Sequence, residues 1–335
     1  MNREDVLNLL TLPAKDLKSK ASYLCKAYYS SQVYLRHIIE VSNICQKNCF
    51  YCGLRRDNLS VKRYRIPISE VLSLVEQSYQ MGCRSIVIQS GERTDKAFID
   101  YIAKLIEEIK KRFPDENIVL SCGEQKKKTY KLWRELGADR YLLRIEISNS
   151  KLYEKFHPKD KLHDYYKRQE CLLILRDLGY QVGTGTLIGL PETTIEDLAE
   201  DILFFINLDI DMLGFGPYVP QANTPLYNNL SNYDPTKALD WTLRAIAVCR
   251  ILMPTINIAS TTALDALRHG ARLEGFEWGA NVLMPTLTPQ PFRKDYQIYS
   301  KKGELRSDYC IRALQDRIVL CDPGDPLHYL LRQNQ

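Results

Sequence analysis

Ser85-Ile86-Val87-Ile88-Gln89, a helical pattern over 95–112 and then Asn117-Ile118-Val119-Leu120-Ser121 set the rhythm of the whole chain. Two short β-branched runs flank an amphipathic segment far too long for a hairpin turn, so the two strands read as a parallel pair joined by a helix. Further strand runs fall at 37–42, 141–146, 181–188, 212–215, 257–260 and 281–284. Helical patterns lie between them at 69–81, 127–136, 165–178, 195–208, 236–252 and 264–278. About eight strand–helix units over about 250 residues is the size of a closed (β/α)8 TIM-type barrel, an α/β fold. An open doubly wound sheet is the rival architecture.

Outside this repeat, Val6, Leu9, Leu10, Leu17, Ala21 and Leu24 recur at helical spacing, with Pro13 interrupting. Residues 1–36 are thus expected to form an N-terminal helical lead-in, 37–299 the barrel and 300–335 an irregular, polar C-terminal extension. No Gly/Ser/Pro-rich linker divides the chain.

A chain of 335 residues that is 45% hydrophobic can bury a large core. It has no apolar run long enough to span a membrane, and it begins Met1-Asn2-Arg3-Glu4-Asp5 where a leader would be basic and then apolar. A cytoplasmic protein is expected. The net charge of +5 is modest, and the basic groups Lys126-Lys127-Lys128 and Lys110-Lys111-Arg112 lie in segments that also carry acids. They read as solvated helix faces and not as a nucleic-acid surface. Ten cysteines without a secretion signal are better explained by ligand duty for some of them than by disulfides.

Three of them follow the first strand: Glu40-Val41-Ser42-Asn43-Ile44-Cys45-Gln46-Lys47-Asn48-Cys49-Phe50-Tyr51-Cys52-Gly53. Cys45, Cys49 and Cys52 can reach three corners of one metal centre from a single loop. Iron–sulfur clusters normally take four thiolates, so three leave one iron open to another ligand. The alternatives are a zinc site, which would need a fourth Cys or His close by, and an electron-carrying cluster completed by a distant cysteine. A loop leaving the C-terminal end of a barrel strand is where such barrels keep their catalytic groups.

This spacing, with Tyr51 before the third cysteine, resembles the radical S-adenosylmethionine (SAM) superfamily. The resemblance implies a [4Fe–4S] cluster on Cys45, Cys49 and Cys52. It implies SAM on the open iron, cleaved reductively to a 5′-deoxyadenosyl radical, with the cofactors carrying the difficult chemistry. Gln89-Ser90-Gly91-Glu92 is similar to the superfamily's Gly-Gly-Glu segment, which implies contacts to SAM from Ser90, Gly91 and Glu92; Ser90 departs from the usual first glycine. Gly185-Thr186-Leu187-Ile188-Gly189-Leu190-Pro191-Glu192 resembles a second motif, placing Leu187 near the adenine. Its glycines suit either close approach to a planar ligand or a tight turn. Arg144 and Glu146, two apart on the expected fourth strand, should point the same way and either pair with each other or hold a zwitterion. Arg168 suits capture of a carboxylate.

Further segments, among them Cys52-Gly53-Leu54-Arg55-Arg56, Arg63-Tyr64-Arg65, Thr261-Thr262-Ala263 and Gly279-Ala280-Asn281-Val282, resemble the biotin-synthase-like branch. They come closest to the HydE family of [FeFe]-hydrogenase maturases. The likeness spans roughly 38–299. It implies Tyr51, Ser121, Glu146 and Arg168 as SAM contacts and Gln89, Thr261, Thr262 and Met284 around a substrate cavity. The substrate would be organometallic, a cysteine-bound iron carbonyl cyanide. Partners would be a low-potential donor (ferredoxin or flavodoxin) and other hydrogenase maturases, with no nucleic acid and no membrane. Ile145 stands where that family carries a histidine. Only Cys310 and Cys321 fall in the C-terminal region, too few for a second cluster, and Cys25, Cys83, Cys122, Cys171 and Cys249 are expected to be small core residues. A methylornithine-synthase-like mutase, sulfur insertion as in biotin synthase and a non-catalytic iron–sulfur protein stay open as alternatives.

Overall fold

The computed structural model describes residues 1–305 and 307–320; Cys321 lies outside them. Eight parallel strands form its centre: β1 (Val33–Leu35 continued by His37–Ser42), β2 (Ser85–Ser90), β3 (Asn117–Ser121), β4 (Ala138–Leu142), β5 (Gln181–Thr184), β6 (Met212–Leu213), β7 (Asn257–Ile258) and β8 (Val282–Leu283). β1 to β7 pair in sequence order as one sheet. The ring closes through Ala259 opposite Val282, then Tyr34 and Leu35 opposite Val282 and Leu283, and Ile38 opposite Thr286. The expected α/β barrel is the observed fold.

Local chemistry explains the elements. The helix Lys96–Arg112 begins where the Asp95 side chain accepts from the Phe98 amide, and it buries Phe98, Tyr101, Ile102, Leu105, Ile106 and Ile109 against the sheet. Each such side chain contributes on the order of 2 kcal/mol of burial. Ile39, Val41, Ile86, Ile88, Ile118 and Leu120 meet this layer from the strands. Helices Arg3–Leu10 and Ala14–Tyr29 pack outside Ile195–Leu208 and Pro235–Leu252.

Three strand boundaries differ from the sequence reading. β4 runs over Ala138–Leu142 and ends before Arg144. Its polar opening is accommodated because the buried Arg140 guanidinium donates to Gln181 at 2.7 Å and Ser85 at 3.3 Å. The expected strands at 181–188 and 212–215 each break at a glycine. A Cβ on Gly185 would lie 2.6 Å from the Gly214 carbonyl oxygen, so the two chains turn together. They pair again outside the ring as Leu187–Ile188 with Gly216–Pro217.

Candidate active site

The loop after β1 is tied down along its length. Asn43 donates from its side chain to the carbonyls of Lys62 and Asp295, each at 2.8 Å, and accepts from the Tyr64 amide at 2.7 Å. The Gln46 amide donates to Glu92 O at 2.8 Å, the Gly53 amide to Ile298 O at 3.1 Å and the Asn48 amide to His163 Nε2 at 2.9 Å. A side chain at Gly91 has no room, since a Cβ would lie 2.5 Å from Ile44 O and 3.0 Å from Cys45 Cβ.

Cys45, Cys49 and Cys52 are free thiols on this loop. Burial raises all three above the ordinary thiol range, Cys52 to about 12. As thiolates they need a bound cation. A three-thiol set spread along one loop fits an iron–sulfur cluster.

Beyond Cys52 the barrel mouth holds a cavity of about 220 Å³. Its walls include Tyr51, Gln89, Ser90, Glu92, Ser121, Arg144, Glu146, Arg168 and Leu187, brought from the cluster loop, from the last residues of β2 and β3 and from the segments that follow β2, β4 and β5. Arg144 and Glu146 share it for a different reason from the one their spacing suggested. Both lie past the end of β4, where Glu146 adopts a left-handed backbone, φ 68°, that returns its carboxylate to within 3.0 Å of the Arg144 guanidinium. Non-glycine residues held there cost on the order of 1 kcal/mol and concentrate at functional sites. Arg144 also donates to Thr186 O at 2.8 Å, while its buried Nε has no partner.

Behind the cavity lies a buried network of four charges. Lys47 stands 3.1 Å from Glu92 and 2.8 Å from Glu124; Arg168 stands 2.7 Å from Glu124 and 3.4 Å from Glu92, and donates to Arg144 O at 2.6 Å. Burial pushes Glu92 up; it opposes ionisation of Glu124 too, but Arg168 and Lys47 hold that carboxyl below its usual range. Tyr51 donates its hydroxyl to His157 Nε2 at 2.9 Å, and His157 Nδ1 donates to Tyr153 O at 2.7 Å. Burial drives His157 down to about 3, so it stays neutral and acts as a fixed acceptor for Tyr51.

The remaining expected residues are placed less simply. Thr262 hydrogen-bonds to the hydroxyl of Tyr299, a cavity residue, and Thr261 lies against Gly216 at the rim. Met284 lines a separate apolar space of about 30 Å³ with Val87, Val119 and Met212. The glycines at 185 and 189 serve packing: Gly189, with φ +78°, would set a Cβ 2.4 Å from Ala238. Glu192, the last residue of that motif, pairs with Lys155 and not with the cavity residues.

Sequence reasoning missed Lys47, Glu124, His157 and Tyr299. Lys47 had a signal, a cation between two cysteines. Glu124 had none, because only the folded chain brings it to Lys47.

The radical SAM superfamily model matches residues 39–205. The class is thus a radical SAM enzyme, whose cofactors are a [4Fe–4S] cluster and SAM. The [FeFe] hydrogenase maturase subunit HydE of Thermotoga maritima is 42% identical over 283 residues, 84% of this chain and 78% of that protein. The chain belongs to the HydE family. A 3-methylornithine synthase of Methanosarcina acetivorans is 24% identical over 86% of this chain and 80% of its own length. The fold is shared with the maturase HydG from Carboxydothermus hydrogenoformans, TM-score 0.83 at 20% identity over 98% of this chain and 78% of that one.

Proposed function

We propose that the enzyme acts on a cysteine-bound iron carbonyl cyanide during assembly of the [FeFe]-hydrogenase active-site cluster, in the cytoplasm and alongside other maturases. Cys45, Cys49 and Cys52 would hold the [4Fe–4S] cluster. Tyr51, Ser90, Gly91, Glu92, Ser121, Arg144, Glu146, Arg168 and Leu187 would surround SAM, and Gln89, Thr261 and Thr262 would face the substrate. Met284, set apart beneath, would bound the substrate space from below. When bound, the cluster and SAM supply a 5′-deoxyadenosyl radical.

The protein's own part is to bind, orient and exclude water. Arg168 and Glu92 are fixed by the charge network; Tyr51 is fixed by neutral His157. The supporting observation is Arg144 Nε, a buried donor without a partner on a cavity-lining side chain. An orphaned guanidinium nitrogen costs stability until an acceptor reaches it, and a carboxylate or an anionic metal complex supplies one.

The test is to incubate reduced, cluster-loaded enzyme and SAM with the iron compound and, separately, with lysine. 5′-Deoxyadenosine and a new iron EPR signal with the iron compound are expected. Turnover with lysine alone would indicate the mutase alternative.

A further inference from the structure

The cluster loop is gripped from two sides by surface segments. On one side Gln46 contacts Glu92 O at 2.8 Å and the Thr94 hydroxyl at 3.2 Å, and Lys47 reaches Glu124 at 2.8 Å. On the other, Lys47 donates to Leu162 O and the Asn48 amide to His163 at 2.9 Å. The exposed side chains of these flanks are lysines: Lys126, Lys127 and Lys128 follow Glu124, and Lys159 and Lys161 precede Leu162.

None of these five makes an ion pair among the described residues. Two nearby acids are neutralised by arginines, Asp57 by Arg56 at 2.9 Å and Asp95 by Arg93 at 2.7 Å, while Asp160, bonded to His163 at 2.7 Å, and Asp164, which caps a helix through the Tyr166 and Lys167 amides, keep their charges. Five lysines outnumber these last two acids, so the face around residues 46–48 carries a net positive charge. Local stability does not explain it. Lys126, at the N-cap of Lys127–Glu135, makes no cap hydrogen bond, and the first turn contains no acid. Three cations thus sit where a helix dipole disfavours them, and local conflicts of this kind concentrate where a surface has another use.

We propose that this lysine-rimmed face docks a small acidic electron-transfer protein with a one-electron centre near its surface. The electron passes over residues 46–48 to the cluster. The donor is oxidised by one electron, the cluster is reduced from 2+ to 1+, and no bond or proton is exchanged. The inference rests on the radical SAM reading. Complementary charge would speed encounter and make the rate fall with added salt.

The experiment uses full-length, cluster-loaded protein in a stopped-flow instrument, with flavodoxin hydroquinone as the probe donor and dithionite as a small reductant that needs no docking. In a variant carrying Lys126→Gln, Lys127→Gln, Lys128→Gln, Lys159→Gln and Lys161→Gln, reduction by flavodoxin should slow by about tenfold or more and lose most of its salt dependence. Iron content and reduction by dithionite should not change. An unchanged flavodoxin rate overturns the proposal, as does an equal slowing with dithionite, which would place the lysines' effect on the cluster itself. If dithionite-reduced wild-type protein makes no 5′-deoxyadenosine from SAM, the radical SAM reading has failed and the docking claim goes with it.

Discussion

Lys47 and Glu116 show how differently a buried charge behaves with and without partners. The Lys47 ammonium lies between two carboxylates, which outweigh its burial and keep it protonated. Lys47→Met would leave Glu92 and Glu124 facing a single guanidinium. Removing one member of a buried charge set costs about 3–5 kcal/mol, so a lower melting temperature and poorer iron retention on gel filtration are expected. Glu116 is fully buried, and neither carboxyl oxygen has a hydrogen-bond partner. Burial raises its pKa from 4.5 to about 8. Between those values the folded state binds more protons than the unfolded one, so this group's stabilisation is complete below pH 4.5 and disappears as pH rises through 8. Glu116→Gln should flatten that fall and gain on the order of a few kcal/mol above pH 8 in denaturant titrations. An unchanged pH profile would show that Glu116 is not its source.

At the scale of elements, the segment following β8 acts as a strap across the barrel mouth. Ile298 O holds Gly53 at the end of the cysteine loop, Asp295 O holds Asn43, and Tyr299 meets Thr262. Its anchor is internal: Lys302 lies 3.0 Å from Glu40 of β1, whose carboxylate also accepts from Thr286 at 2.6 Å and from Thr288. Burial opposes the charge on Glu40, but Lys302 and the two hydroxyls hold it ionised. Lys302→Met strands that carboxylate, and a loss of about 3–5 kcal/mol is expected. Faster tryptic cleavage between 294 and 301 than in the wild type should accompany it; equal cleavage and stability would mean that Lys302 does not anchor the strap.

For the whole molecule, the expectation concerns metal content. Among the described residues no second ligand set accompanies the loop cysteines, and Cys310 is buried in the core. Reconstituted protein should hold about four irons and four sulfides per chain, and Cys310→Ala should leave that count unchanged. The sequence by itself determined the parallel barrel, because strand and helix periods alternate throughout, and it placed Cys45, Cys49 and Cys52 on one loop, because their spacing is local. It also placed Cys25, Cys83, Cys122, Cys171 and Cys249 in the interior, where all five are buried. Only the tertiary structure decided the surroundings of that loop. The Lys47–Glu124 and Glu40–Lys302 pairs join residues 77 and 262 positions apart, and no local period records such contacts. The Arg144–Glu146 pair is local, but the reversal that unites it is a left-handed turn beyond a strand end, which residue spacing cannot reveal because spacing assumes that the strand continues.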